Sequence, residues 1–146
     1  MIKWAGWLIT LFGAAHTLGA LTVMKAAGHA GTWFSGALWH DDLAAMSPAN
    51  SAFWLSAASF GVPLVLVGLT VLWLDRRGIT PPRFIAWALG IWTLLIAAVL
   101  LFTPWPILLV ATALLLAGIR RAEPAPPRDA TGPDQGSRGI SRPDAA

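Results

Sequence analysis

Three long stretches of the chain contain no charged residue, and most of their positions are apolar or small. They run from Trp4 to Met24, from Leu43 to Leu74 and from Phe84 to Ile119. A spanning helix needs about 20 apolar residues to cross the hydrocarbon core of a membrane. The third stretch is long enough for two spans, and the prolines of its "TPWP" segment break the helix between them. The pattern therefore predicts four spans, at about 4–24, 51–74, 84–102 and 105–119.

A shorter amphipathic segment lies between the first two predicted spans, at residues 32–46, "TWFSGALWHDDLAAM". Its apolar residues recur at helical spacing, mostly on one side. These are Trp33, Phe34, Ala37, Leu38 and Leu43. We therefore expect a short helix that lies in the membrane surface and covers the outer end of the bundle. The predicted fold class is all-α, a four-transmembrane-helix bundle with one short outer interfacial helix between helices 1 and 2.

The second predicted helix has clear end signals. Ser47 precedes Pro48 and suits an N-cap, and Gly78 suits a C-terminal stop. Between them we expect one long helix with a kink near Pro63, which cannot donate a hydrogen bond to the Ser59 carbonyl.

The composition changes after Arg121. The segment "AEPAPPRDATGPDQGSRGISRPDAA" is rich in proline and glycine and has no aromatic residue, so it cannot build a core. The sequence thus predicts a four-helix membrane domain at 1–121 and a disordered cytoplasmic tail at 122–146.

The overall composition and the distribution of charge agree with a membrane protein. Hydrophobic residues make up 56% of the chain and charged residues 12%, against about 25% charged in soluble domains. Of the ten Lys and Arg residues, only Lys25 falls on the outer side of the predicted topology. The others fall inside, where such residues concentrate: Lys3, Arg76, Arg77, Arg83, Arg120, Arg121, Arg128, Arg138 and Arg142. We expect a multi-pass protein of the cell membrane, in a bacterial inner membrane, with the N and C termini cytoplasmic.

Several classes of protein are excluded or disfavoured. The net charge of +3 does not indicate nucleic-acid binding, because a basic groove with interleaved aromatic residues is missing. The chain has no cysteine, which excludes disulfides, thiol redox chemistry and thiolate metal sites. We expect no cofactor and no metal site. A signal peptide is the alternative for the first span, since Gly13 and Ala15 could imitate its cleavage site, but the apolar run continues to Met24.

His16 is an ionisable residue inside the first predicted span, next to a seam of small residues. The seam recurs at spacings of four and three, which directs it towards another helix: Gly6, Thr10, Gly13, Thr17 and Ala20. One interpretation is structural, in which a neutral imidazole binds a hydroxyl or a freed carbonyl and joins two helices. The other is functional, because ionisable residues within membranes often contact a ligand, proton or substrate.

Two groups of polar residues are candidate sites. Ser56 and Ser59 lie at a depth comparable to that of His16, so the three could form one polar pocket. His40, Asp41 and Asp42 form an outer cluster that could bind a cation or act as acid and base. Adjacent helical residues point about 100° apart, however, so an exposed polar edge is the alternative interpretation. Among the tryptophans, which favour span ends, Trp92 falls in mid-span.

A resemblance to a known protein family rests on five segments taken together: "GAAHTLGAL", "WFSGALW", "SPANSAFW", "SFGVPL" and "LWLDRRGITPPRF". From Met1 to about Arg121 the chain resembles an uncharacterised family of small bacterial four-helix integral membrane proteins, a domain of unknown function. The resemblance implies a four-helix architecture and does not identify any catalytic residue.

Three functions follow as hypotheses. The first is a bundle that binds a hydrophobic or amphipathic small molecule, or a membrane protein partner, from the outer leaflet of the lipid bilayer. The second is a membrane-embedded enzyme acting on a lipid or isoprenoid through His16 or through Asp41 and Asp42. The third is a small dimeric transporter, which ranks last because no predicted span contains the carboxylate that proton coupling usually needs. Whether the chain forms a homo-oligomer stays open.

Overall fold

A computed structural model describes residues 1–42, 44–99 and 104–122 of the chain. Within these ranges the protein has six α-helices and no strand, which confirms the all-α class. Two short 3-10 helices, Ala26–His29 and Ala37–His40, complete the secondary structure. The α-helices are α1 (Ile2–Thr22), α2 (Ala30–Phe34), α3 (Pro48–Leu55), α4 (Gly61–Arg76), α5 (Arg83–Val99) and α6 (Trp105–Ala122).

Two of the described helices, α1 and α6, are both long enough and apolar enough to cross a membrane. Helix α5 is apolar but has 17 residues, and α4 has 16. The number of spans therefore stays a prediction. The predicted tail at 122–146 lies outside the described residues except for Ala122, which ends α6. Residues 100–103, where the third span was expected to end, and Leu43 of the expected surface helix also lie outside them.

The structure corrects the prediction of one long, kinked second helix. The chain leaves the helical conformation at Ser56, with φ −113° and ψ −82°, and resumes it at Gly61, so α3 and α4 are separate helices. Pro63 lies in the first turn of α4, where its missing N–H costs no hydrogen bond. The predicted ends are confirmed. Ser47 caps α3 by accepting from the Asn50 amide, and Gly78, with φ +67°, follows the end of α4.

The expected surface helix at 32–46 is also wrong as a single element. Helix α2 ends at Phe34, and Gly36 adopts a left-handed conformation with φ +79° before the second 3-10 helix begins. Glycine takes this conformation at no steric cost, so the break occurs there. Trp33 ties the segment to α3, because its indole Nε1 donates to the Ala49 carbonyl at 2.8 Å.

Helix α1 is central and packs against α4 and α6, while α5 packs against α6. Along α1 and α4, glycines meet in antiparallel order. A Cβ on Gly13 would lie 2.5 Å from the Gly61 carbonyl oxygen, and a Cβ on Gly6 would lie 3.2 Å from that of Gly68. The small residues therefore allow the two backbones to approach closely, which confirms that the seam faces another helix.

The four longer helices share a closed core at the end where α1 begins and α6 ends. Five almost fully buried side chains fill this end: Ala5, Val71, Ala86, Leu115 and Ile119. A second apolar cluster around Ile9, Leu89 and Leu108 follows it. Beyond that cluster, towards the end of α1 and the start of α6, the helices enclose a cavity instead of a packed core.

Candidate functional site

An apolar cavity of about 710 Å³ lies between α1, α5 and α6, with Leu55 and Phe60 at one side. This volume falls within the range of about 300–1,000 Å³ that is usual for small-molecule sites. Its other lining residues are Leu8, Leu11, Phe12, Ala15 and His16 of α1, Trp92, Thr93 and Ile96 of α5, and Pro104, Trp105, Ile107 and Leu108 at the start of α6. Leu11, Ala15, Pro104 and Ile107 are exposed, so the cavity has a lateral opening between α1 and α6.

Among the described residues that line this cavity, His16 is the one with an ionisable side chain. A hydrogen bond joins its imidazole to the backbone of Leu55, the last residue of α3. The last four carbonyls of a helix lack partners within it, so the imidazole satisfies one of them. This contact agrees with the structural interpretation of His16. The second ring nitrogen, Nε2, is buried and has no hydrogen-bond partner.

Phe60 packs directly against His16, with 4.0 Å between their ring centroids and 30° between their planes. It also contacts Trp92 edge to face, at 5.4 Å between centroids. Both Phe60 and Trp92 line a second, shallower space of about 320 Å³ between α4 and α5, which we call the α4–α5 groove. The two aromatic rings thus form a wall, with the cavity and His16 on one side and the groove on the other.

Ser56 and Ser59 do not line the cavity, and their hydroxyls bond to nearby backbone groups. Ser56 Oγ donates to the Ala52 carbonyl at 2.6 Å, and Ser59 Oγ donates to the Ser56 carbonyl at 2.9 Å. Ser59 Oγ also accepts from the Gly61 amide at 3.3 Å. Ser59 therefore satisfies backbone groups at the break between α3 and α4, whereas Ser56 adds a second donor to a carbonyl that already accepts from the Ser56 amide. Of the three residues considered for one polar pocket, the structure places only His16 on the cavity.

The His40, Asp41 and Asp42 side chains do not converge on one point. Asp41 Oδ2 accepts from the hydroxyl and the amide of Ser47, at 2.7 and 3.2 Å, while Asp42 Oδ1 accepts from the Ala44 amide at 2.8 Å. The Ser47 hydroxyl hydrogen bond is the main reason that the pKa of Asp41 lies below its usual value. His40 is exposed. Asp41 thus supports the N-cap of α3, which is a structural role.

No cluster of three or more His, Asp or Glu side chains suited to a metal ion occurs at 1–42, 44–99 or 104–122. The arrangement around His16 offers something different, namely a large and mainly apolar volume with few hydrogen-bonding groups among its described lining residues. Such a site suits a molecule that is mostly apolar and has few polar atoms.

Comparison of the chain with protein-family models, with curated proteins and with solved structures found no match. The resemblance to a family of small four-helix membrane proteins therefore stays a prediction. The function has to be argued from the geometry of the chain itself.

Sequence reasoning found His16 but missed the residues that surround it. Phe60, Trp92 and Leu55 come from three different segments, and their meeting depends on the break between α3 and α4. Two signals pointed towards them. Trp92 was the tryptophan in mid-span, and Phe60 directly precedes Gly61 in the segment where a kink was expected.

Proposed function

We propose that this chain is a four-span integral membrane protein whose cavity binds a hydrophobic or amphipathic molecule from the outer leaflet. The observation that carries the proposal is the apolar cavity of about 710 Å³, whose described lining residues include one ionisable side chain, that of His16. Binding here needs no catalytic group, and an apolar lining favours burial of hydrocarbon over water.

The outward faces of the helices support a membrane environment. Each of α1, α4, α5 and α6 exposes large apolar side chains, such as Leu11 at 58%, Leu66 at 61%, Leu95 at 63% and Val110 at 54%. Soluble monomers rarely expose contiguous apolar surface of this extent. At 1.5 Å per residue, helices of 16 to 21 residues measure roughly 24–32 Å, close to the hydrocarbon thickness of about 30 Å.

The basic residues support an orientation. The start of α1 lies beside the end of α6, since a Cβ on Gly118 would come within 2.6 Å of Ile2 Cγ1. The end of α4 lies at the same side, because Gly68 meets Gly6. One end of the bundle therefore carries Lys3, Arg76, Arg77, Arg120 and Arg121. By the positive-inside rule this end faces the cytoplasm, which puts both termini inside and the cavity in the outer half.

A reporter experiment tests the orientation. Fusions that are active only in the cytoplasm or only outside it are placed after Met1, in the loop near Gly28, in the loop near Gly78 and after Ala146. We expect the two termini and the Gly78 loop to report from the cytoplasm and the Gly28 loop from outside. Termini that report from opposite sides would contradict the four-span topology.

A labelling experiment tests binding. The protein is reconstituted in phosphatidylcholine nanodiscs with a photoreactive alkyl probe, and the labelled residues are mapped by mass spectrometry. We expect labels at Leu11, Ile96 and Ile107 of the cavity. Ala15→Trp fills the opening and should reduce this labelling severalfold, whereas Ala113→Trp, on an exposed position of α6 outside the cavity, should not. Equal labelling of the cavity residues in both variants would contradict the proposal.

A further inference from the structure

The hydrogen bonds of His16 specify which polar group a ligand of this cavity carries. Nε2 has no partner, so the hydrogen bond that the imidazole makes with the Leu55 backbone involves Nδ1. The Leu55 carbonyl can only accept, and a neutral imidazole has one N–H and one lone pair. The N–H therefore lies on Nδ1, and the lone pair lies on Nε2. A buried acceptor without a donor costs free energy, and a group that donates to it recovers this cost.

The other polar side chains among the described residues that line the cavity differ from His16 in their hydrogen bonding. Trp92 and Trp105 carry indole groups, which donate but do not accept. The hydroxyl of Thr93 donates to the Leu89 carbonyl at 2.7 Å, so it already has a hydrogen-bond partner, although its oxygen can still accept. Among the described residues that line the cavity, His16 is thus the one with a buried side-chain nitrogen or oxygen that makes no hydrogen bond.

The charges of the side chains that line the cavity further restrict which polar group a ligand can carry. No Asp, Glu, Lys or Arg side chain is among the described residues that line the cavity, so a charged ligand group would find a counter-ion there only if His16 were protonated. Burying an unpaired charge is far more costly than burying a hydrogen-bonded neutral group. Against the neutral imidazole a carboxylate would place an acceptor next to the lone pair of Nε2, because an ionised carboxyl group has no hydrogen to donate. Protonation of His16 would remove this clash but bury an ion pair, whose desolvation can cost more than the attraction between the charges gains.

We infer that the ligand is an uncharged amphipath with a hydroxyl group, which donates its hydrogen to Nε2 of His16 while its apolar part fills the cavity. This inference rests on the proposed binding function. Nε2 is covered and the ring of Phe60 packs against the face of the imidazole, so the side chains around His16 have to rearrange before the hydroxyl reaches Nε2.

Three matched photoreactive probes test the inference in phosphatidylcholine nanodiscs. They share one alkyl chain and end in a primary alcohol, its methyl ether or a carboxylate. The ether keeps the oxygen but has no hydrogen to donate. In the wild-type protein we expect the alcohol to label the cavity residues two- to tenfold more strongly than the ether, the range that one net hydrogen bond supplies. The carboxylate should label least.

Two substitutions of His16 distinguish the role of Nδ1 from the role of Nε2. In His16→Asn the shorter amide occupies the place of Nδ1 and keeps a donor for Leu55, but nothing remains at the place of Nε2. We expect the alcohol and the ether to label this variant equally, at the level of the ether in the wild type. In His16→Gln the longer amide reaches the place of Nε2, so part of the preference for the alcohol should return.

The outcomes distinguish the inference from the function on which it rests. Equal labelling of the wild-type cavity by alcohol and ether, or stronger labelling by the carboxylate, overturns the hydroxyl inference and leaves binding intact. A full preference for the alcohol in His16→Asn also overturns it, since the preference would then arise elsewhere. If none of the three probes labels the cavity, both the inference and the proposed function are wrong.

Discussion

The rings of Phe60 and His16 pack against each other, with 4.0 Å between their centroids. Phe60 directly precedes α4, whereas His16 lies within α1. The same phenyl ring borders both the cavity and the α4–α5 groove. Its position therefore limits how far an apolar chain extends beyond His16, and the size of this side chain should set the length of the ligand.

Removal of the Phe60 ring gives the first prediction. Phe60→Ala should join the cavity to the groove, so alkyl probes several carbons longer should label the cavity as well as short ones do. In the wild type, labelling should fall as the chain lengthens. Mass spectrometry of probes of graded length measures the change. Phe34→Ala removes an equal ring that is 89% exposed and lines neither space, so it should keep the wild-type length dependence.

The contact between α1 and α4 gives the second prediction. A Cβ on Gly13 would lie 2.5 Å from the Gly61 carbonyl oxygen and 2.9 Å from Leu64 Cβ, so Gly13→Ala must push the helices apart. We expect a loss of about 1–3 kcal/mol in the free energy of unfolding, as for other overpacked sites. The measurement is reversible unfolding in mixed detergent micelles.

Gly19 provides the matched control for this variant within the same helix. A Cβ there would meet no atom within 4 Å, so Gly19→Ala adds only helix propensity. It should stabilise the protein by about 0.5–1 kcal/mol. If Gly13→Ala stabilised the protein to the same degree, the close approach of α1 and α4 would be wrong.

Asp41 gives a prediction about pH. Hydrogen bonds from Ser47, chiefly from its hydroxyl, hold the pKa of Asp41 below its usual value of about 3.9. Because the folded-state pKa is lowered, the stabilising contribution is present above about pH 4 and is lost as the pH falls through the lowered value. The Ser47 amide resonance in detergent micelles should shift over this acidic range.

Substitutions of the two aspartates separate this effect from general acid unfolding. Asp41→Asn should remove the acidic shift of the Ser47 amide, since the titrating group is gone. Asp42→Asn should keep it, because Asp42 accepts from Ala44 and makes no hydrogen bond to Ser47. An unchanged shift in Asp41→Asn would show that another group causes it.

Trp33 gives the last prediction. Its indole donates to the Ala49 carbonyl, and its ring meets Phe53 edge to face at 5.6 Å. Trp33→Phe keeps an aromatic ring but removes the donor, so it should weaken the attachment of α2 to α3 by about 1 kcal/mol. Faster hydrogen exchange in residues 26–35 would report this. Trp39→Phe, at a side chain 86% exposed, should leave the exchange of these residues unchanged.

Much of the secondary structure could be predicted because its signals are local. The apolar stretches placed α1, α5 and α6 within a few residues, and Ser47 and Gly78 marked ends of α3 and α4 through their own backbone chemistry. The seam of small residues on α1 was also visible, since a helix places residues three and four apart on one face.

Other features were not determined by local signals. Pro63 indicated a disturbance of the second helix, but whether the helix bends or breaks depends on whether the freed backbone groups find partners. Ser59 supplies such partners at the break, since its hydroxyl donates to the Ser56 carbonyl and accepts from the Gly61 amide. The hydroxyls of Ser56 and Ser59 bond to backbone groups nearby, and of the three candidate pocket residues His16 alone lines the cavity.

The sequence by itself determined the apolar helices, their caps and the presence of an ionisable residue within the first of them, because hydropathy, spacing and backbone preference act over a few residues. Only the tertiary structure decided that His16 bonds to Leu55, packs under Phe60 and faces a cavity bordered by Trp92. These contacts join segments far apart in the chain, and their geometry follows from how the helices pack.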